Sequence, residues 1–491
     1  MPRAAWIVGV VVICLPVAVL ATGVYVPWLD RPAAPARPAE VPAGDRELAW
    51  LHTTTSGPTW ERFVSGVVRT QLAVPGLTVD DTAAYADATT DVPELVLGMA
   101  GREGKLRVRW YKLTADATVD TWVQALAARD PAPLAVIGGG SSDRALDLAR
   151  ALAGRHPDPG TGPLLFITTA TADLCRADDD DLDGRRLIDI YPGRSFRFCF
   201  TNRQMADAVI DYVWRTPDLH PAPPDDGTLP KVLSVEWKDD PFSTDLYQRF
   251  GDALKGKALL DTREVKFSVG GQTVPNFYEA QAAAAILDYC RANPSGRVVL
   301  VLPTVTTPAR RLLRAIIEAD PAVRSRLVAV TGDGIPVNAV YRDADFAWPV
   351  AALAVPLVLF CHNNPVGWDD PGGQPAPPGY ALTPPTAADD VLHFADIGRH
   401  IVRACYPDTG LVPDAAALAA RLRAERPSLF DTDGERLGGT GEYVCVLRPP
   451  AANGDPAQLH VVRQTRARTW ERVRTVAITA GRPAAGAGVG E

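Results

Sequence analysis

The sequence predicts an α/β protein of two lobes, each built on a doubly wound parallel sheet, preceded by one N-terminal transmembrane segment. Three observations carry that expectation. At 491 residues the chain exceeds the roughly 250–300 residues that one hydrophobic core organises. Short apolar runs alternate with longer amphipathic ones, the order expected of parallel strands covered by helices on both faces. Hydrophobic residues make up 47% and charged residues 22%, close to an average soluble globular protein, so an apolar N-terminus stands out against a water-soluble remainder.

That terminus comes first. Ala4 to Leu29 carries no charged side chain and exceeds the roughly 20 apolar residues that span a bilayer. Arg3 precedes it, Tyr25 and Trp28 stand near its far end, and the positive-inside preference then places the remaining chain outside the cytoplasm. Two readings of residues 1–29 stand: an uncleaved single-pass anchor, or a signal peptide cut after Val19-Leu20-Ala21. Lipid attachment at Cys14 is disfavoured because bulky Ile13 precedes it. Residues 30–46 open with DRPAAPARPAEVPAG, a Pro/Ala spacer without hydrophobic period that holds a domain off a membrane.

In the exported part, Pro133 to Ile137 predicts a buried strand, followed by Gly138-Gly139-Gly140-Ser141-Ser142 and a helix from about Asp143 to Ala153. Leu164 to Thr168 predicts the next strand. Val232 to Glu236 precedes a helix near Thr244 to Leu254, Arg297 to Leu302 precedes one near Pro308 to Ala319, and Arg326 to Val330 follows. The Pro-rich stretches Thr216 to Pro230 and Asp369 to Pro385 predict surface loops, and residues 476–491 a disordered tail.

Several function classes are made improbable by composition and motif. A net charge of −8 leaves no large phosphate-neutralising surface, so nucleic acid is not an expected partner. Of seven cysteines, Cys175, Cys199, Cys290, Cys361, Cys405 and Cys445 lie in the exported part. They have partners enough for disulfides in an oxidising compartment, but the absence of any C-x-x-C pair, with Cys361-His362 standing alone, favours buried unpaired thiols over zinc. Asp178 to Asp181 with Asp183 reads as a solvated acidic loop. Asp431, Asp433, Glu435 and Glu442 fall at EF-hand-like offsets, yet Arg436 stands where that loop requires glycine, so a hairpin turn is expected. His393 and His400 share a helix face and read as structural histidines rather than metal ligands. No cofactor or metal is expected, and the absence of G-x-S-x-G, H-E-x-x-H and G-x-x-x-x-G-K-[ST] lowers the expectation of an enzyme.

Ligands of open α/β sheets bind beyond the carboxyl ends of the strands. There the turns read GGGSSD, TATAD, WKDDPFS, PTVTTP and TGDGIP, rich in hydroxyl groups and glycine. Ser141 and Ser142, with their backbone amides, stand at a helix N-terminus suited to a carboxylate, although helix capping explains the same residue types. Thr169, Ala170 and Thr171 would add donors to the same group.

Marks of one family occur in order. Gly57-Pro58 and Trp60 are followed by Phe63 and Gly66, then by VIGGGSSDRAL, ITTATADL, SVEWKDDPFSTDLYQRF, VAVTGDGIPVNAV, ADDVLHFADIGRHIV and FDTDGERLGGTGEYVCVLRP. From about Leu48 to Val462 the chain resembles the type I periplasmic-binding family, specifically the Leu/Ile/Val receptors of ABC transporters. The resemblance implies lobe 1 from 47–200 plus 340–438, lobe 2 from 201–339 plus 439–475, and a three-stranded hinge that closes them over a solute. It implies Trp60 as an aromatic wall, Ser141, Ser142, Thr169, Ala170 and Thr171 around a ligand carboxylate, and Asp333 facing an ammonium group. Phe242 stands where the family carries a tyrosine, and Asp333 also fits an ordinary Asp-Gly turn. A small amino acid, amide or carboxylate ligand follows from the resemblance, with an ABC permease or membrane sensor as partner and no enzyme activity. The alternative reading is an interaction or scaffold domain that kept the fold and lost the ligand.

Overall fold

The computed structural model describes residues 37–86, 91–158, 160–175, 184–221, 224, 226–237, 240–265, 277–294, 296–337, 348, 353–365, 389–425, 429–438, 441–451, 454–465 and 467–478. The apolar run at Ala4 to Leu29, the acidic stretch at Asp178 to Asp183 and the Pro-rich stretch at Asp369 to Pro385 lie outside them. Among the described residues no helix is long and apolar enough to cross a membrane.

Lobe 1 starts with β1 (Arg46–Thr53), buried along its whole interior, and α1 (Gly57–Ala73), which carries Pro58 in its first turn, where a missing N–H costs nothing. β2 (Leu77–Asp80), β3 (Glu94–Met99), β4 (Leu106–Leu113), α2 (Val119–Ala127), β5 (Ala135–Gly138), α3 (Ser142–Arg155), β6 (Leu164–Ile167) and β7 (Ser195–Arg197) follow, in the sheet order β2-β3-β4-β1-β5-β6-β7. Side chains alternate across this sheet. Trp50, Ile137 and Phe166 join one core layer, while Ala49, Leu51, Val136 and Leu165 join the other, as a strand period of two dictates when both faces are covered.

Lobe 2 contains α4 (Asn202–Arg215), β8 (Lys231–Trp237), α5 (Pro241–Leu254), β9 (Leu259–Val265), α6 (Phe277–Ala292), β10 (Val298–Val301), α7 (Thr306–Ala319), β11 (Leu327–Val330) and β12 (Leu357–Cys361). The chain then re-enters lobe 1 for α8 (Asp389–Cys405) and α9 (Ala415–Ala424) before ending in lobe 2 with β13 (Tyr443–Arg448), β14 (Ala457–Gln464) and β15 (Trp470–Ile478). The second sheet runs β15-β14-β13-β12-β11-β10-β8-β9. α8 packs directly on α1. A Cβ at Gly66 would lie 2.6 Å from the Phe394 Cβ and 2.7 Å from the Val391 carbonyl oxygen, so glycine is what lets the two helices touch.

Four expectations need correction. Both sheets are mixed: β2 and β3 run antiparallel at one edge of the first, and β13, β14 and β15 run antiparallel in the second. β12 pairs with β11 and β13, so the second crossing falls after Cys361 and not near residue 340. An all-apolar run such as LVLFC announces a doubly buried strand without saying which sheet it joins. β15 carries ordered structure to Ile478, past the expected start of the tail. The spacer ends early: the Ala39 amide donates to the Tyr111 hydroxyl, and the Ala39 carbonyl accepts from Arg109 and Arg129, so the chain is pinned to lobe 1 before β1.

Candidate ligand cleft

The turns that follow β5 and β6 meet the start of α5, the helix that follows β8: Ser142, Ala172 and Pro241 line one gap, and the Asp173 and Leu174 amides reach Asp245. On lobe 1, Gly139 adopts φ +77° and Gly140 approaches His52 so closely that a Cβ there would lie 2.5 Å from the ring carbon Cε1, which seats the turn on the imidazole. His52 stacks on Trp50 with centroids 4.0 Å apart. Burial, with Arg144 adding, lowers its pKa to about 4.

Ser141 is the N-cap of α3, yet its side chain makes no capping bond. Ser142 instead accepts the Ala172 amide on Oγ at 3.2 Å, and Thr169 donates to the Gly139 carbonyl at 3.4 Å. The two lobe 1 turns predicted to hold a carboxylate therefore do come together. The Ala170 carbonyl accepts from the Cys199 thiol. Thr171, 1% exposed, has a buried hydroxyl without a hydrogen-bond partner. Trp60 does not join them. It is 2% exposed, donates Nε1–H to the Ala84 carbonyl and packs among Trp50, Phe63 and Trp110, so its expected place on a cleft wall is corrected to the lobe 1 core.

On lobe 2, Phe242 packs against the second core, and its ring would lie 3.2 Å from a Cβ on Gly334, the residue after Asp333. Asp333 accepts from His362 Nε2 on Oδ2 at 2.9 Å, while its Oδ1 is buried without a hydrogen-bond partner. Phe242 and Asp333 thus share one rim.

Sequence reasoning missed the residue that joins the lobes. Asp245 of α5, 1% exposed, accepts the backbone amides of Asp173 and Leu174 at 2.8 and 3.3 Å, so a lobe 2 carboxylate caps a lobe 1 turn. Asn202 Nδ2 donates to the same carboxylate at 2.9 Å, and Arg249 lies 3.3 Å from it. Burial first, then the neighbouring Asp173 carboxylate, raises the Asp245 pKa. The only sequence signal was an Asp four residues before an Arg on a helix, which is common on exposed faces. Beside this contact, a gap lined by Ser142, Leu146, Ala172 and Pro241 measures about 10 Å³, room for one water.

The hinge is knitted by side chains from all three crossings. Phe200 of the first donates its amide to His362 Nδ1 of the second, and Arg436 of the third donates to the Phe198 carbonyl and sits 4.2 Å above the Phe200 ring. His393 of α8 stacks on His362 at 5.1 Å and meets the Thr168 carbonyl through Nε2. Burial, then His362 and Arg436, lowers the His393 pKa to about 3. His400 bridges Asp396 and Glu425, a structural placement. Asp431 accepts three successive amides, those of Asp433, Gly434 and Glu435, which makes its segment a side-chain-closed turn. No group of three or more metal-ligating side chains occurs among the described residues.

Two α/β lobes joined by three crossings define the type I periplasmic-binding fold. The sequence matches no family profile and no curated protein. Solved structures similar to this chain include a protein described as a branched-chain amino acid ABC transporter from Silicibacter pomeroyi, with TM-score 0.51 and 14% identity over 82% of this chain and 94% of that one. Another is an ABC transporter solute-binding protein from R. palustris in complex with 4-hydroxybenzoate, with TM-score 0.50 and 10% identity over 88% of this chain and 97% of that one. At these identities the likeness establishes the fold.

Proposed function

We propose that the chain is an extracytoplasmic solute-binding protein, tethered through residues 1–29, that captures an amino acid, amide or related small carboxylate between its lobes without chemical conversion. The observation that carries the reading is a pair of unsatisfied buried polar atoms on opposite lobes, Thr171 Oγ1 and Asp333 Oδ1. Buried polar groups are costly unless paired, and a small ligand bearing both donor and acceptor groups would satisfy them. The Ser142 hydroxyl, whose oxygen accepts the Ala172 amide and whose hydrogen remains to donate, and the Thr171 hydroxyl support a carboxylate end, and Asp333 supports an ammonium or amide end. An ABC permease or a membrane sensor is the partner this reading requires.

The second reading, a scaffold that no longer binds solute, is favoured by one observation: Asp245 already places a carboxylate on lobe 1 amides, beside a gap of about 10 Å³, against the roughly 300–1,000 Å³ typical of small-molecule sites. A thermal-shift panel of amino acids, amides and small carboxylates on the full-length chain separates the two. A hit that raises the melting temperature and is lost in the Ser142→Ala, Thr171→Ala double variant supports capture. A panel without any shift supports the scaffold.

A further inference from the structure

We infer that His362 is a positioning residue that couples the hinge to the cleft: its imidazole holds the Asp333 carboxylate with one oxygen engaged and the other left for a donor on the ligand. This rests on reading the cleft as a small-ligand site. The Phe200 amide donates to Nδ1 at 3.2 Å. A ring nitrogen that accepts a hydrogen bond carries no proton, so in the neutral ring the proton lies on Nε2. Nε2–H then donates to Asp333 Oδ2 at 2.9 Å, and Oδ1 of the same carboxylate stays unpaired. The hydrogen bond of one ring nitrogen therefore sets what the other can do for the carboxylate, much as an outer partner fixes the tautomer of a metal-bound histidine.

The ring has little freedom to turn. Phe200 stacks parallel to it with centroids 5.9 Å apart and a 4° interplanar angle, His393 stacks at 5.1 Å and 30°, and Phe360 meets it edge-on at 5.5 Å. Phe200 belongs to the first crossing, His362 to the second, and Arg436 of the third sits on the Phe200 ring. Any rotation of the crossings on lobe closure is thus transmitted through one imidazole to the orientation of Asp333. Oδ1 is an unsatisfied acceptor, so the ligand group at this rim is a hydrogen-bond donor, the ammonium or amide nitrogen of the proposed ligand classes being one that fits.

Two conservative variants separate the ends of the ring. His362→Gln keeps a donor near the Nε2 position, whereas His362→Asn reaches only the Nδ1 position. In the full-length chain labelled with 15N-histidine, long-range proton–nitrogen correlation at pH 7.5 should show His362 as the neutral Nε2–H tautomer, with nitrogen shifts that move in Asp333→Asn. An Nδ1–H tautomer, an imidazolium, or shifts unmoved by Asp333→Asn overturns the proposal. With L-leucine as the calorimetric probe, Kd should weaken at least tenfold in Asp333→Asn and His362→Asn and stay within threefold of wild type in His362→Gln. Equal weakening by the two His362 variants removes the positioning role. Wild-type protein that does not bind L-leucine but shows the expected tautomer counts against that ligand class alone, and the His362–Asp333 couple stands. Where His362→Asn fails to fold, the tautomer in wild type and Asp333→Asn decides.

Discussion

His52 packs on Gly140 and His393 meets the Thr168 carbonyl; they are 4% and 3% exposed, and each is held neutral by burial. Their folded pKa values, about 4 and about 3, lie below the ordinary histidine value near 6.5. Between pH 6.5 and 4 the unfolded chain therefore binds protons that the folded chain does not. Stability is present in full above pH 6.5 and is lost as pH falls through that window. Each ring contributes roughly 1 kcal/mol per pH unit there. Asp396 acts in the same direction at lower pH: burial alone would raise its pKa, but His400, Arg399 and Arg436 hold it well below the ordinary carboxylate range. Urea midpoints measured from pH 7.5 to 4.5 should fall steadily, and less steeply in His52→Asn. A midpoint that stays level over this range would contradict the assignment of both rings.

At the scale of elements, the contact between α5 and the turn after β6 decides how firmly the lobes meet. Asp245 gives that turn an acceptor for two amides, while Arg203 donates its amide to Asp173 at 2.6 Å and Arg249 lies near both carboxylates. Removing the Asp245 carboxylate leaves two amides and part of an arginine without their partner, a loss of about 2–3 kcal/mol. Asp245→Ala should accordingly lower stability by that amount and enlarge the radius of gyration in X-ray scattering as the lobes part. A destabilised variant with unchanged radius would place the contribution of Asp245 within lobe 2 alone. α4, which starts directly after the first crossing, shows why the hinge has defined ends. Thr201 and Gln204 form a reciprocal capping box, so the helix cannot unwind into the crossing without losing both bonds.

Over the whole molecule, each lobe has its own pair of core layers, and the crossings join two units that fold around separate sheets. Arg436 binds across that junction, reaching the Phe198 carbonyl, the Phe200 ring and, at 4.0 Å, the Asp396 carboxylate. Arg436→Ala should cost about 3 kcal/mol and split the calorimetric unfolding peak into two, one for each lobe. A single peak of unaltered shape would mean that the lobes are coupled elsewhere. Much of this architecture is legible in the chain. The runs PLAVI, LLFIT, VLSVE, VVLVL and LVAVT each carry a strand, the first starting only at Ala135, because apolar β-branched runs bounded by turn residues have few other ways to hide. That the turn at Ser142 lies against the turn from Thr169 to Thr171 was legible too, since strand ends in such sheets converge.

What the sequence by itself determined is thus local and periodic: which segments are strands or helices, which turns lie at strand ends, and that residues 4–29 are apolar enough to span a bilayer. Partnership was decided only by the tertiary structure. LVLFC became a lobe 2 strand because β11 and β13 were there to pair with it, and Trp60 became core because three aromatic rings surround it. Asp245 and His362 acquired their roles from backbone amides 71–72 and 162 residues away. Hydrogen bonds at such separations leave no period in the sequence, since their geometry exists only once the two lobes are packed together.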